Sequence, residues 1–137
     1  MQLNNTTQYA IRILNYINVE GKERLFSARV LSDRLDINYK FLTSIMTKLV
    51  KANFITSIRG RDGGFKLIEE AHKIFIIDVI ELFDDSFQND ACVMGIDKCN
   101  KKQKCFMHDK WVKPKKSIYD FFENTSLADI ANRGDKF

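Results

Sequence analysis

Apolar residues recur every three to four positions near the start of the chain, which is the spacing of one face of an α-helix. The residues on this stripe are Tyr9, Ala10, Ile13, Leu14 and Ile17. Asn5, Thr6 or Thr7 is predicted to cap the helix, because a short polar side chain can accept a hydrogen bond from the first free backbone amides. Gly21 is predicted to end the helix or to follow its end.

Two short helices joined by a tight turn at Asp36-Ile37 are predicted next. Ser27 and Asn38 are the candidate N-caps of these helices. The first helix carries the apolar residues Val30, Leu31 and Leu35. The second carries two apolar rows with a spacing of four, namely Phe41, Ile45, Leu49 and Leu42, Met46, Val50. This layout is typical of a helix-turn-helix.

A β-hairpin is predicted after the second of these helices. Residues 54–58 are rich in β-branched side chains, and residues 65–68 predict a returning strand. The segment between them, Arg59-Gly-Arg-Asp-Gly-Gly64, is basic and holds three of the six glycines of the chain. A strand, a glycine-rich basic turn and a second strand form the wing of a winged helix.

The second half of the chain is predicted to alternate between helices and a loop. A helix that ends near Asp84-Asp85 is indicated by Ile76, Ile77, Val79, Ile80 and Phe83. Residues 86–104 are predicted to form a loop, and the chain becomes helical again from Cys105. The apolar face of this last long helix is formed by Trp111, Ile118, Phe121 and Phe122. Pro114 predicts a kink, or a restart with the proline at the first helical position, and residues 126–131 predict a final short turn.

Length and composition favour one compact domain, mainly α with a small β-hairpin. The chain has 137 residues, of which 45% are hydrophobic, enough for a single core. Residues 1–70 form the predicted winged helix-turn-helix and carry 11 Lys and Arg against 7 Asp and Glu. Residues 71–137 hold the loop and the long C-terminal helix and carry 11 of each sign. The excess positive charge therefore lies in the first half, which suits a polyanionic partner.

Several classes of protein are disfavoured by the sequence. The N-terminus has no signal-peptide pattern, and no apolar run approaches the roughly 20 residues of a membrane span. The odd number of cysteines, three, does not indicate a disulfide framework. We therefore expect a cytoplasmic protein without a membrane partner. An enzyme is the least favoured class, because no phosphate-binding loop precedes a helix and neither His72 nor His108 has an evident Ser or Asp relay.

The winged helix-turn-helix predicts a surface for double-stranded DNA. A major-groove helix presents its N-terminal residues to base edges, and these are Asn38, Tyr39, Lys40, Thr43 and Ser44. Lys48 lies farther along and reaches only phosphate. Arg59 and Arg61 flank Gly60 at the tip of the wing, where they can enter a narrow minor groove. Each residue alone is also compatible with a solvated surface, and it is their combination that indicates DNA binding.

The strongest chemical signal is Cys92-x6-Cys99-x5-Cys105-x2-His108. Thiolate and imidazole are ligands of zinc and of iron–sulfur clusters. Cys105 and His108 would share one face if both lay on a helix. Buried structural thiols are the alternative, but the segment is polar, which favours a metal centre. Seven lysines between Lys101 and Lys116 would stabilise an anionic cluster, or form a solvated surface.

These residues resemble the Rrf2 (Rrf-two) family of winged-helix transcription regulators, and within it the IscR-type iron–sulfur regulators. The matching segments are Tyr9-Ala-Ile-Arg12, Ile37 with Phe41-Leu42, Ser57-Ile-Arg-Gly60, Gly63-Gly64-Phe65, Asp78-Val-Ile80, the three cysteines, Cys105-x-x-His108-x-x-Trp111 and Ser126-Leu-Ala-Asp-Ile130. The resemblance implies a homodimer on a palindromic operator, with the long C-terminal helix packed against its twin.

The resemblance also implies a 2Fe–2S cluster, with Cys92, Cys99, Cys105 and His108 as ligands. Other subfamilies take a carboxylate from the first helix as the fourth ligand, but Gln8 occupies the matching region here. The six residues between the first two cysteines are one more than some members have. Two alternatives stay open at this point: a zinc or thiol switch that uses the same residues, and a cluster-free regulator controlled by a partner protein.

Overall fold

The computed structural model describes residues 3–21, 24–84, 92–96 and 98–131. The elements in chain order are α1 (Asn5–Glu20), α2 (Ala28–Leu35), α3 (Tyr39–Lys51), β1 (Ile55–Ile58), β2 (Gly64–Leu67), a 3₁₀ turn (Ala71–Lys73), α4 (Ile76–Phe83), α5 (His108–Asn124) and α6 (Leu127–Ile130). The fold is therefore mainly helical with one antiparallel hairpin, as predicted. Among the described residues, no helix is long and apolar enough to cross a membrane.

Short polar side chains begin the helices of the first half. The hydroxyl of Ser27 accepts a hydrogen bond from the Val30 amide, and the Asn38 side chain accepts one from the Phe41 amide. Both predicted caps are confirmed. The predicted cap of α1 is wrong by one residue, because the side chain of Asn4 accepts from the Thr7 amide.

The helix-turn-helix packs on α1 through an apolar core. The buried residues of α3 are Leu42, Ile45, Met46 and Leu49. Phe41 and Val50 belong to the same predicted apolar rows, but each is 37% exposed. Phe41 begins the first of the two rows and Val50 ends the second, so both lie at the edge of the apolar stripe. Phe41 packs there against Tyr9 of α1, with ring centroids 5.5 Å apart.

The hairpin is held close to the start of α2. Its register pairs Ile55 with Leu67 and Ile58 with Gly64. Phe26 extends the pairing through a bridge to Phe65. This bridge requires glycine at position 64, since a Cβ there would lie 2.6 Å from the backbone oxygen of Phe26. The wing is therefore fixed to the body of the protein at the turn end of its strands.

The long helix α5 packs mainly on α4 and runs without a break through Pro114. The predicted restart at Pro114 is wrong. Both Pro114 and Lys110 are exposed, so water can replace the helical hydrogen bond that the Lys110 carbonyl loses. Only His108 of α5 is buried. The described part of the predicted loop has no helix, and Asp85, residues 86–91 and Asp97 lie outside the described residues.

The C-terminal end of α5 is anchored to the first half. The Ile76 amide donates to the Thr125 carbonyl over 2.9 Å, and the Leu127 amide donates to the Ile74 carbonyl over 2.7 Å. The predicted final turn is the helix α6, which Ser126 and Asp129 begin with a reciprocal capping box. Leu127 is fully buried in the common core.

Candidate functional site

The four predicted metal ligands form two close pairs. The sulfur atoms of Cys92 and Cys105 lie 3.7 Å apart. The sulfur of Cys99 lies 3.4 Å from Nδ1 of His108. Within the described part of the chain, no three residues among His, Cys, Asp and Glu meet as a group that could hold one metal ion.

The expected pairing of Cys105 with His108 on one helix face is wrong. Helix α5 begins only at His108, and Cys105 precedes it. The His108 amide donates to the Cys105 carbonyl over 3.1 Å, so a turn joins the two residues. This turn leaves the Cys105 thiol beside Cys92 and directs the His108 ring toward Cys99.

A tight turn shapes the surroundings of Cys92. The Gly95 amide donates to the Cys92 carbonyl over 3.0 Å, and Gly95 has a positive φ of 68°. Glycine adopts this left-handed conformation without the strain that a side chain would cause. Backbone hydrogen bonds, first from Ile96 and then from Met94, lower the pKa of the Cys92 thiol. The thiolate is the form that binds metals.

The Cys99–His108 pair lines an open cleft of about 530 Å³ beside α5. The neighbouring lining residues include Lys101, Lys115 and Lys116. Lys116 is paired with Asp120 at 2.7 Å, and Lys104, nearby in the chain, with Asp109 at 2.9 Å. His108 is buried at the N-terminus of α5, where the helix dipole favours negative charge. Asp120 and Glu123 also line the cleft, so its positive charge is partly balanced.

The predicted DNA-binding residues of α3 lie at or near its exposed N-terminus. Asn38 is exposed, but its side-chain oxygen is occupied by the cap and only its amide donors face outward. Lys40 and Ser44 are also exposed. The Thr43 hydroxyl, on a half-buried residue, donates to the Lys40 carbonyl over 2.9 Å. The ammonium group of Lys48 lies 5.7 Å from the ring centre of Phe83, on the side of α3 that faces α4.

Arg29 belongs to the same surface and was missed by the sequence analysis. Its guanidinium carbon lies 4.2 Å from the ring centre of Tyr39. This distance is that of a cation–π contact. The sequence signal that could have identified Arg29 is its place at the second position of α2, close to the polar N-cap Ser27. The contact joins the N-termini of α2 and α3 in one basic and aromatic patch.

The wing and α3 enclose a cleft of about 460 Å³. Its lining combines residues of α3, such as Thr43, Thr47 and Lys51, with Ser57 and Phe65 of the hairpin. The tip of the wing extends beyond this cleft, and Arg59, Gly60 and Arg61 are exposed. The structure therefore places the arginines of the wing and the start of α3 on accessible surfaces.

Comparison with known proteins agrees with this architecture. Residues 3–133 match the family described as Rrf2, iron-dependent transcriptional regulator. A putative helix-turn-helix regulator of Aquifex aeolicus is 33% identical over 99% of this chain and 95% of its own length. The regulator IscR of Vibrio campbellii is 28% identical over 95% of this chain and 77% of its own.

A solved structure extends the comparison to the fold. CymR, described as the global cysteine regulator of B. subtilis, superposes with a TM-score of 0.83 at 18% identity. The superposition covers 98% of this chain and 99% of CymR. Members of the Rrf2 family are DNA-binding regulators and not enzymes. On the family match over nearly its whole length, the chain belongs to the Rrf2 family of DNA-binding transcriptional regulators.

Proposed function

We propose that the protein is a homodimeric sensor that binds a palindromic operator with an affinity set by a 2Fe–2S cluster. The cluster ligands are Cys92, Cys99, Cys105 and His108. The observation that carries this proposal is the pair of short contacts, Cys92 with Cys105 and Cys99 with His108. In the proposed cytoplasmic location, reducing conditions keep the three thiols available as ligands.

The donor set fits the proposed cluster. Three sulfurs and one imidazole nitrogen are ligands that iron–sulfur centres accept. When bound, the cluster supplies a group that gains or loses one electron and that oxidants can destroy. The protein contributes the lowered pKa of Cys92 and places His108 at the N-terminus of α5. Gln8 is a poor substitute for the carboxylate ligand that other subfamilies take from the first helix, because its side chain is a neutral amide.

A regulator that holds zinc, or no metal, is the second candidate. Three cysteines and one histidine also form a tetrahedral zinc site. A mononuclear site requires the four donors to meet at one point. The two separate pairs support a binuclear centre over a single ion.

The proposed DNA interface has two parts. Asn38, Tyr39, Lys40, Thr43 and Ser44 enter the major groove, and Lys48 holds phosphate from the far side of α3. Arg59 and Arg61 enter the minor groove on either side of Gly60, where the absence of a side chain lets the backbone approach. All of these residues except the half-buried Thr43 are exposed, which supports the assignment.

The proposed dimer interface is the outward side of α5. Val112 is 41% exposed and Phe121 is 61% exposed, and neither packs in the core of the protomer. A second copy of the helix would bury these apolar side chains, which are unfavourable in water. A dimer would carry two wings, which matches the two half-sites of a palindromic operator.

Coupling between the cluster and DNA follows from where the loop is attached. The chain enters the loop from α4, whose last residue, Phe83, accepts a 3.0 Å hydrogen bond from Asn4 and lies under Lys48 of α3. The loop ends at His108, the first residue of α5. Binding of a cluster between these two helices would therefore bias elements that contact both the recognition helix and the dimer interface. This bias changes the affinity for DNA only if the cluster-loaded and cluster-free conformations bind DNA with different strength.

The test compares DNA binding by the cluster-loaded and the cluster-free protein. Operator duplexes are selected from a random library with each form. We expect a change in affinity of at least about fivefold, the lower range of allosteric coupling, which the Cys92→Ala variant abolishes. Equal affinity of both forms for every selected duplex would refute the sensing role. An exposed-lysine variant, Lys113→Ala, serves as the matched control for the loop and α5.

A further inference from the structure

The distances inside the two ligand pairs are short enough for each pair to bind one metal ion. Two thiolates on one tetrahedral metal, each at about 2.3 Å, are separated by about 3.8 Å. The Cys92–Cys105 distance is 3.7 Å. A thiolate and an imidazole on one such metal, with the nitrogen at about 2.0 Å, are separated by about 3.5 Å. The Cys99–His108 distance is 3.4 Å.

We infer that Cys92 and Cys105 bind one iron of the cluster and that Cys99 and His108 bind the other. This inference rests on the proposed cluster and deepens it by dividing the ligands between the irons. The division follows from geometry rather than from order along the chain. Cys105 and His108 are the two ligands closest in sequence, but they bind different irons. The reason is that α5 begins after Cys105, so the two side chains do not share a helix face.

The division makes the two irons unequal. The Cys92–Cys105 iron has two anionic protein ligands, whereas the Cys99–His108 iron has one anionic thiolate and one neutral imidazole. Histidine ligation raises the reduction potential of Rieske centres, so the iron bound by His108 is the easier one to reduce.

The cleft adds a second difference. It is lined by Cys99 and His108, while Cys92 and Cys105 are not among its lining residues. The cleft therefore opens beside Cys99, while the His108 side chain is itself buried.

The first test uses the cluster-free protein and phenylarsine oxide. This trivalent arsenical forms two As–S bonds with two neighbouring thiols and releases one water molecule. Replacing Cys92 or Cys105 by alanine removes one of the two bonds, and we expect affinity to fall by about a hundredfold. The Cys99→Ala variant is the matched control and should bind within about twofold of the original protein. An equal loss in all three variants, or a loss confined to Cys99→Ala, would overturn the pairing.

The second test uses Mössbauer spectra of the ⁵⁷Fe-loaded protein after reduction with dithionite. Dithionite supplies one electron, which converts one ferric ion to ferrous without making or breaking a bond. Cys99→Ser should alter the ferrous doublet, while Cys92→Ser and Cys105→Ser should alter the ferric one. Any other distribution contradicts the pairing. If the original protein takes up no iron and sulfide, the proposed function fails, and the arsenical experiment still tests the pairing.

Discussion

The hydroxyl of Tyr119 donates a 3.0 Å hydrogen bond to the carboxylate of Glu81. Tyr119 lies on α5, and Glu81 lies on α4, so this bond joins the helix that begins with His108 to the helix that leads toward Cys92. The bond therefore helps to fix the position of α5 relative to α4, the two helices that flank the segment with the predicted metal ligands.

Replacing Tyr119 by phenylalanine is expected to loosen the packing of α5 on α4. A solvent-accessible side-chain hydrogen bond contributes about 1 kcal/mol, so the free energy of unfolding should fall by about that amount. Urea denaturation measures the change. Glu81→Gln retains an acceptor and should lose less, whereas an equal loss in both variants would show that the bond depends on the negative charge of its acceptor. Unchanged stability of Tyr119→Phe would contradict the contribution of the bond.

The same contact gives a dependence on pH. The hydrogen bond to Glu81, together with burial and the nearby acidic groups, raises the pKa of Tyr119 above its ordinary value. A group whose pKa is raised by folding stabilises the folded state fully below its unfolded pKa and loses that contribution as pH rises through the folded pKa. The difference in phenolate absorbance between the wild type and the Tyr119→Phe variant reports Tyr119 alone. This difference should therefore appear only above about pH 10. Titration below that value would contradict the bond.

The wing is expected to depend on glycine at position 64. A Cβ at Gly64 would meet the Phe26 backbone, so Gly64→Ala must displace either the hairpin or the segment before α2. Overpacking of this kind costs about 1–3 kcal/mol. Thermal unfolding should show the loss, and Lys66→Ala, an exposed change on the same strand, should not. Unchanged stability of the alanine variant would contradict the close approach to Phe26.

The wing arginines are expected to contribute electrostatic affinity for DNA. If Arg59 contacts a phosphate or the charged minor groove, Arg59→Ala should weaken binding and reduce the dependence of log affinity on log salt by about 0.9. Binding is measured at several salt concentrations. Lys73→Ala removes the same charge from an exposed turn outside the proposed interface. An equal effect of both variants would show that net charge, and not the wing, is responsible.

Arg29 is expected to act together with Tyr39 at the DNA surface. An exposed cation–π contact contributes about 0.5–1 kcal/mol, which holds the Tyr39 ring against α2. Arg29→Ala should therefore lower DNA affinity by more than the lost charge explains. Tyr39→Phe keeps the ring and tests the hydroxyl separately. If Arg29→Ala and the charge control Lys73→Ala have the same effect, the stacking contributes nothing to binding.

Local elements were predictable because their signals lie within a few residues. Ser27 and Asn38 were identified as caps because each is a single polar residue before an apolar stripe. The cap of α1 was placed one residue late, since Asn4, Asn5 and Thr6 are adjacent and all suited to the role. Only the geometry shows that the Asn4 side chain reaches the free amide.

The ligand pairs were not predictable, because they depend on where α5 begins. The spacing of Cys105 and His108 suits one helix face, and nothing in the sequence marks His108 as the first helical residue. Met107, which precedes it, makes no side-chain capping bond. Similarly, apolar spacing could not separate Phe41 and Val50 from the buried residues of α3, because exposure at the ends of a stripe depends on the neighbouring helix.

The central claim is tested most directly by anaerobic purification, with visible absorbance recorded and iron, sulfide and zinc counted per chain. The account predicts a broad band between about 400 and 600 nm, with iron and sulfide near two each. Single replacement of Cys92, Cys99 or Cys105 by alanine should abolish the band. Colourless protein with about one zinc per chain, or with no metal, would contradict the cluster.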